Sequence, residues 1–496
     1  MAISFGGSLN STPVPQKQTL STNYIDFTST ATSGWAQQYL PDLMEKEAEV
    51  FGNRTISGFL SQVGAEEAMA SDQVVWSEQG RLHLSYNGTI NRSGGYVTIG
   101  NDIDGQTAGA DHGIRLGDTI IVTTATETAK LYVTGLGQAT GTASSNLDRV
   151  HALPYQSAAI TNAFAADSAC VVLVYGSEFK KGDTGRSGAN SPKFQTYTNR
   201  PIILKDKYEI SGSDASAIGW VEISGEDGQN GYMWYLKAEG DTRARFADYL
   251  EMSMIEAETA DIAGGSTIDE ATAMAAGGFM SIPAAGTGQS IGTQGLFQAI
   301  ETRGMMTSGV TGVSWATDLA EFDAILAEFD NQGSIEENMM FLNRNTSLAM
   351  DDMLAGINGG YAGGASFGVF NNEEDMALNL GFSGFRRGSY DFYKSDWKYL
   401  NDKGTRGGLI DTVNAIRGII IPAGVSSVYD QTLGKNLKRP FLHVRYRSSK
   451  TDDRKMKTWV TGSVGATTSD LDAMEIHYLS ERCLITQGAN NFMLMN

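Results

Sequence analysis

The side chains that most often carry catalysis or bind metals are few in this chain and widely separated. The five histidines share one property, which is that none lies within a few residues of another: His83, His112, His151, His443 and His477. A metal site of recognisable spacing is therefore missing from the sequence. The two cysteines, Cys170 and Cys483, exclude a disulfide framework and fit a reducing compartment. Both lie in apolar runs, so we interpret them as buried thiols.

Motifs for phosphate binding or nucleophilic chemistry are also missing from the sequence. It contains neither a G-x-x-x-x-G-K-[ST] loop nor a G-x-S-x-G elbow. The acidic run from Asn101 to Gly105 has too few carboxylates for a calcium loop and predicts a turn. Adjacent pairs such as Asp351 and Asp352 do not face one another on a helix. We therefore predict no catalytic residue, no cofactor site and no metal site, and interpret the chain as a non-enzyme.

One place in the sequence favours a different interpretation. Trp397 lies close to Asp391 and Asp396, and enzymes that cleave polysaccharides combine a carboxylate pair with aromatic platforms for sugars. A secreted or tail-associated β-rich enzyme that degrades polysaccharide is therefore one alternative function. An activity screen on the purified monomer would separate it from a structural role.

The charge distribution contains one local exception. The chain has a net charge of -20, whereas a protein that grips the DNA backbone is normally basic. Residues 435–457 nevertheless carry nine Lys or Arg against Asp452 and Asp453. This basic segment has two interpretations, a solvated loop between strands or a surface complementary to an acidic neighbouring subunit or packaged DNA.

The elements around these residues begin with an extended arm. Residues 1–34 are rich in Ser, Thr and Gly without a lasting period, which predicts an arm with no fold of its own. Residues 35–70 form a helical segment, with a short helix between Pro41 and Gly52. The chain has no apolar run long enough to span a membrane, and its first residues do not resemble a secretory signal.

Residues 71–223 predict β structure in the form of a long hairpin. An Asn87-Gly88 pair follows an alternating stretch and predicts a tight turn. Two apolar strands flank a polar turn between residues 113 and 137, and residues 169–175 predict a further buried strand. We predict that residues 95–179 form a small inserted β domain, and that residues 201–210 return as a strand.

The second half of the chain predicts helices followed by strands. A long helix over residues 231–258 has apolar residues at helical spacing. Its predicted apolar face comprises Tyr232, Tyr235, Leu236, Phe246, Tyr249, Leu250, Met254 and Ala257. A second helix starts at Thr317 as N-cap and ends at Gly333, and a third covers residues 347–358. Further strands are predicted at residues 376–382, 441–447, 456–461 and 475–486.

Taken in order, these elements resemble the tailed-bacteriophage capsid fold of the Hong Kong ninety-seven type. The stretch YTNRPIILKDKYEISGSDASAIGW resembles the end of that family's extended loop, and GYMWYLKAEGDTRARFADYLEMSMIEAE resembles its spine helix. ATDLAEFDAILAEFDNQG, followed by NMMFLNRNTSLAMDDML, is similar to the start of its axial domain. EIHYLSERCLITQGANNFMLMN is similar to its last peripheral strand. The resemblance is closest to major capsid proteins of crAss-like phages.

The resemblance implies an α+β fold with named parts. These parts would be an N-terminal arm (1–34), a helical segment (35–70), an extended loop with an inserted β domain (71–223), a peripheral domain (224–309), an axial domain (310–435) and C-terminal strands that return to the peripheral domain (436–496). The chain would build hexamers and pentamers of an icosahedral head around double-stranded DNA. It would be located in the virion, after assembly in the host cytoplasm.

The partners implied by the resemblance are mainly other copies of the chain. Neighbouring capsomers would be joined through the arm and the extended loop, and portal and auxiliary head proteins would also bind. Packaged DNA would be held non-specifically at most, and no membrane is expected. We expect that deletion of residues 2–34 leaves a soluble chain that assembles poorly. A tail-tube or adhesin subunit is the second alternative function.

Overall fold

The computed structural model divides the chain into two compact units. It describes residues 59–60, 65–80, 85–103, 105, 107–137, 147–185, 194–213, 223–224, 230–231, 233–261, 290–333, 335–360, 383–409, 416–423, 425–430, 435–463 and 468–496. The inserted unit is Trp76–Tyr197, and the body comprises Met1–Val75 and Thr198–Asn496. The predicted arm, the helix after Pro41 and the strand at residues 376–382 lie outside the described residues.

The described residues form strands and helices throughout both units. The strands are β1 Ala65–Met69, β2 Val74–Gln79, β3 Ser85–Asn91, β4 Tyr96–Asp102, β5 Asp118–Thr123, β6 Thr128–Leu136, β7 Arg149–Pro154, β8 Ala169–Ser177, β9 Phe194–Asn199, β10 Ile202–Ser211, β11 Ile223–Ser224, β12 Asn230–Gly231, β13 Ala260–Asp261, β14 Ser290–Ile291, β15 Met305–Thr307, β16 Glu337–Leu342, β17 Ser383–Arg387, β18 Tyr390–Asp396, β19 Gly418–Pro422, β20 Val425–Asp430, β21 Lys435–Pro440, β22 Leu442–Arg447, β23 Lys457–Gly462, β24 Ala473–Thr486 and β25 Met493–Met495. The α-helices are α1 Ile160–Ala163, α2 Met233–Glu256, α3 Leu296–Arg303, α4 Trp315–Gln332, α5 Arg344–Gly360 and α6 Lys398–Asn401.

The first sheet of the body has five strands and carries the long helix α2. Its order is β1-β22-β24-β10, and β23 also pairs with β24. Phe246, Leu250 and Met254 recur every four residues, so they share one face of α2, and all three are buried. Phe246 and Leu250 pack with Tyr478 and other residues of β10 and β24. The long helix predicted from the sequence is therefore present, although Tyr249 is exposed and was wrongly assigned to its apolar face.

The second sheet of the body has six strands in the order β15-β25-β19-β16-β18-β17. Helix α4 packs on it through Phe322 and Phe329, whose rings contact those of β17 and β18. The predicted N-cap was wrong, because Ser314 caps α4 by accepting a hydrogen bond from the Thr317 amide. Gly333 ends the helix as predicted. The last residues of the chain are divided, with β24 in the first sheet and β25 in the second.

Helix α5 begins earlier than the sequence predicted. It starts at Arg344, where the predicted start was residue 347. Met350 and Met353 are buried against the second sheet. Leu348 is also apolar, but about half of its surface is exposed.

The inserted unit contains a closed barrel with the order β3-β4-β7-β6-β5-β8. Its core includes Ile90, Val97, Ile120, Leu131 and Val172, all fully or almost fully buried. Closure leaves no free strand edge in the barrel, which removes the main route to unspecific strand pairing. Strand β2 lies where the chain enters this unit and β9 where it leaves, and the two strands pair with each other.

The predicted Asn87-Gly88 turn is wrong. Both residues lie inside β3, at a point where the register with β4 shifts. A Cβ atom on Gly88 would lie 2.4 Å from the Thr98 carbonyl oxygen, so glycine is needed for close approach of β4. The chain instead turns after β3, where the Gly95 amide donates to the Arg92 carbonyl and Gly95 has a φ of +66°.

Candidate interaction surfaces

The residues considered for metal or thiol chemistry are dispersed and mostly buried. The Nε2–H of His112 donates to the Leu147 carbonyl (2.8 Å), and the Nε2–H of His151 donates to the Gly137 carbonyl (2.7 Å). Cys170 and Cys483 are buried as predicted, and burial raises the pKa of their thiols to about 11 and about 12. In the described part of the chain, no group of three or more His, Cys, Asp or Glu could hold a metal ion.

The candidate sugar platform at Trp397 is part of the core. Only 5% of Trp397 is exposed, and its ring stacks on Phe59 with centroids 4.5 Å apart. Asp396 pairs with Arg344, and Asp391 lies 3.6 Å from Arg386. An aromatic ring must present an open face to stack against a sugar, so the interpretation of this spot as a polysaccharide site is wrong.

Carboxylates of the same chain pair with much of the basic segment. Arg445 binds Glu67 (3.1 Å), and Lys455 binds Glu66, so β22 and the following residues are tied to β1. Lys457 pairs with Asp452 (2.7 Å). The positive charges of these side chains are therefore balanced by carboxylates of the same chain.

The most buried carboxylate among these contacts is Glu481. This side chain is only 3% exposed, forms an ion pair with Arg454 (2.7 Å) and accepts a hydrogen bond from Arg447 (3.3 Å). Arg447 also binds Asp72, at the end of β1. Since five basic side chains of the segment are paired within the body, a surface built on their free charge, for DNA or an acidic neighbour, is not supported at these positions.

The C-terminal end of α2 is anchored in a similar way. Glu256 accepts from Tyr399 (2.5 Å) and from Arg406 (2.5 Å). Arg406 also lies over the Phe297 ring, 5.0 Å from its centroid. Burial and the bond to Glu256 raise the pKa of Tyr399. These contacts fix the helix end and give no open site for a ligand.

The outer face of the first sheet carries a smaller polar cluster. Lys207 pairs with Glu475 (3.1 Å) and Glu209 (2.9 Å), and its pKa is raised by these carboxylates. His477 shares a hydrogen bond of 2.7 Å with Thr461 and stacks against Trp459. All the polar groups of this cluster contact one another, so it stabilises three neighbouring strands.

Apolar side chains are exposed along one side of the barrel. In β8, Cys170 and Val172 point into the core, whereas Val171, Leu173 and Tyr175 point outward and are each 40–49% exposed. The sequence predicted β8 as a wholly buried strand, because both of its faces are apolar and periodicity cannot show which one meets solvent. The strand is therefore half-buried, a feature that sequence reasoning missed.

Strand register extends this exposed row across the barrel. Leu173 lies opposite Ile121 of β5, which lies opposite Lys130 of β6. The Tyr155 amide donates to the Lys130 carbonyl, so Tyr155 continues the row. We call this surface the apolar wall, and it also includes outward residues of the adjacent rows. Its members are Ile121, Tyr132, Leu153, Tyr155, Val171, Leu173 and Tyr175.

A shallow cavity of about 450 Å³ lies at one end of the apolar wall. Lys130, Tyr155, Tyr175 and Glu178 line it together with Thr119, Gly176 and Ser177. The Tyr155 hydroxyl donates to Glu178 (2.5 Å), a bond that raises the pKa of Tyr155 to about 12. Lys130 lies 5.9 Å from the centre of the Tyr175 ring. The cavity therefore has two exposed rings, one cation and one anion.

The opposite side of the barrel has a different character. The outward residues of β3 are Asn87, Thr89 and Asn91, and those of β4 include Thr98. Among the barrel strands, the large apolar residues that are exposed lie in β7 and β8, on the apolar wall, whereas Ile103, Leu116, Leu147 and Phe179 are exposed in the segments between strands. Contiguous apolar patches on soluble proteins commonly mark contacts with another molecule.

Three solved structures from phages are similar to this chain at low levels. A structure from Microbacterium phage Oxtober96 matches with a TM-score of 0.37 and 8% identity, over 92% of this chain and 96% of that one. The asymmetric unit of the bacteriophage PhiM1 mature capsid matches with a TM-score of 0.35 and 8% identity, over 92% and 91%. The capsid structure of cyanophage P-SCSP1u matches with a TM-score of 0.35 and 9% identity, over 92% and 93%.

Sequence comparisons give no match. A scan against protein-family models finds none, and neither does a search of the curated proteins. In the described residues, no helix is both long and apolar enough to cross a membrane.

Proposed function

We propose that this chain is the major capsid protein of a tailed bacteriophage, a structural subunit that assembles with copies of itself into the head. The finer assignment to the crAss-like phages belongs to the same proposal. The head would be an icosahedral shell of hexamers and pentamers around double-stranded DNA, in a virion assembled in the host cytoplasm. No enzymatic step is part of this function.

One observation carries the proposal. In the segment whose sequence resembles the capsid family, the ten-residue strand β10 is followed, after two short strands, by the 24-residue helix α2. Strand β10 pairs along its whole length with β24, from Ile202 opposite Arg482 to Ser211 opposite Ala473. Helix α2 packs on both strands, and Arg245 binds Asp206 of β10 at 3.1 Å. A returning C-terminal strand beside the extended-loop strand and spine helix is the peripheral arrangement expected for this family.

The domain assignment groups segments around the two sheets, although β1 and β10 of the first sheet come from the segments 35–70 and 71–223, and β15 of the segment 224–309 lies in the second sheet. We assign the peripheral domain (224–309) with the C-terminal strands (436–496) to the first sheet and α2, and the axial domain (310–435) to the second sheet with α4 and α5. Strand β25 is then the part of the C-terminal segment that joins the axial sheet. The barrel is the insertion in the extended loop (71–223), and the arm (1–34) and helical segment (35–70) complete the chain.

The buried environment of Trp397 weakens the alternative of a polysaccharide-degrading enzyme, since that residue motivated it. A tail-tube or adhesin subunit would be equally structural, so it differs from the proposal in the shape of the assembly. Portal and auxiliary head proteins remain proposed partners, and DNA a non-specific one.

Microscopy of the assembled protein tests this proposal. The full chain is expressed in bacteria, separated on a density gradient and examined in negative stain. We expect closed icosahedral shells. Tubes or stacked rings would favour a tail subunit, and a compact, monodisperse single chain at high concentration would exclude a capsid function.

A further inference from the structure

We infer that the apolar wall of the barrel is a contact between two copies of this chain, arranged about a two-fold axis so that Lys130 of each copy meets Glu178 of the other. This inference rests on the proposed function and names the surface through which copies associate. It commits the wall to one occupant, the same wall of a second copy.

The distribution of charge favours the barrel as a self-contact. Residues 76–197 carry nine Lys or Arg and ten Asp or Glu, a net charge of -1. The rest of the chain therefore carries -19 of the total of -20. Two bodies of like charge repel each other, whereas two nearly neutral barrels do not. Of the two units, the barrel is the one whose approach to a second copy has little electrostatic cost.

The composition of the wall also fits a self-contact. A two-fold contact places the same patch on both partners, so the patch must be complementary to itself. The wall combines apolar residues with one cation and one anion that line the same cavity, Lys130 and Glu178. Rotation by two-fold symmetry can place each cation against the other copy's anion. Tyr155 and Tyr175 supply rigid aromatic area beside this pair, as is common at protein interfaces.

The barrel does not need the apolar side chains of the wall in order to fold. The inward residues of β8 already complete the core, and the outward row adds nothing to it. Exposure of Val171, Leu173 and Tyr175 to water is unfavourable in free energy, and burial against another copy would remove this penalty. The polar outer face of β3 and β4 shows that the same barrel tolerates hydrophilic residues at equivalent outward positions.

Charge reversal in trans tests the contact directly. Full-length Lys130→Glu and Glu178→Lys are prepared separately, and association is measured by analytical ultracentrifugation before shells form. Each variant alone places like charges against each other, and we expect its association to weaken about tenfold or more. Mixed in equal amounts, the two variants restore both attractive pairs, and we expect near wild-type association. A pairing within one copy would not be restored by mixing.

Two further variants serve as controls. Leu173→Ser removes apolar area from the wall and should weaken association without lowering the thermal stability of the barrel, because 41% of Leu173 is exposed. Thr89→Glu adds charge to the polar face of β3 and should leave association unchanged. The inference is overturned if the mixture of reversed chains associates no better than its components. It is also overturned if a lysate protein or a glycan, and not a second copy, is what the wall binds.

The outcome separates this inference from the proposed function. If both charge-reversed variants form shells with the yield and stability of the wild type, the wall contact is overturned and the capsid function stands. Failure of the wild-type chain to associate at all would overturn both.

Discussion

Replacement of Phe246 by alanine tests whether α2 is held mainly by its packing on the first sheet. Phe246 is 1% exposed, and its ring lies 5.9 Å from that of Tyr478. Truncation of a fully buried Phe costs about 3–5 kcal/mol, because apolar contact is lost and a cavity remains. We expect this loss to appear as easier opening of α2 from β10 and β24.

Tyr249→Ala is the matched control for this change. Tyr249 lies three residues further along the same helix but is 47% exposed. Phe and Tyr have similar helix propensities, so both substitutions change the intrinsic preference for helix by a similar amount. The control should alter stability by less than about 0.5 kcal/mol, as is usual for surface substitutions. The difference between the two variants therefore isolates the packing contribution.

Amide hydrogen exchange of the full chain measures the effect locally. A multi-lobed chain of 496 residues need not unfold in one step, so a single global free energy of unfolding is not well defined. Exchange from α2 reports its own opening. The expected loss corresponds to exchange faster by roughly 10²- to 4 × 10³-fold, since about 1.4 kcal/mol is tenfold. Equal exchange rates in the Phe246 and Tyr249 variants would refute the assignment of this face as the buried one.

Four other outcomes follow from the structure. Gly88→Ala should lower the melting temperature of the barrel because its Cβ meets a carbonyl oxygen at 2.4 Å, whereas Gly100→Ala, with its nearest atom at 3.5 Å, should not. Glu481→Gln should lower the local stability by about 3 kcal/mol by leaving two arginines without their buried partner, against less than about 1 kcal/mol for Asp452→Asn, as checked by amide hydrogen exchange from β22 and β24. Burial lowers the pKa of His112 below its ordinary 6.5, so the unfolded chain binds the proton more readily. The barrel should be most stable above pH 6.5 and lose stability as the pH falls below it; hydrogen exchange at two pH values should show a smaller loss in His112→Gln. Added salt should strengthen association of the wild-type chain by screening its charge of -20; weaker association in salt would indicate contacts made mainly by opposite charges.

Elements with a long or regular apolar period could be predicted from the sequence. Helix α2 and strands β10, β22 and β24 lie where the pattern of side chains placed them, within a few residues. Periodicity works in these elements because one face is buried and the other is not, as the burial of Phe246, Leu250 and Met254 at four-residue spacing illustrates. The β structure predicted for residues 95–179 is present, but the barrel also contains β3 from Ser85, so the predicted start was wrong, and no local signal specifies closure.

The failures share a physical cause, which is that local patterns do not record what a distant segment contributes. Asn87-Gly88 has the composition of a tight turn, but the approach of β4 makes glycine necessary inside a strand. Trp397 has the neighbours of a sugar site, but Phe59, more than 300 residues earlier, covers its ring. Sequence spacing alone gives neither contact.

The basic segment illustrates the same limit and bears on assembly. Nine positive charges within residues 435–457 suggested a surface for an acidic partner, yet the carboxylates of Glu66, Glu67 and Glu481 meet them within the body. Since five of these nine side chains are paired internally, attraction between oppositely charged patches is a weak candidate at those positions for holding together subunits of net charge -20. Association must then depend on contacts that bury apolar area and avoid the repulsion between bodies. The apolar wall of the nearly neutral barrel meets both requirements, so the inserted unit is the one best suited to join copies of the chain.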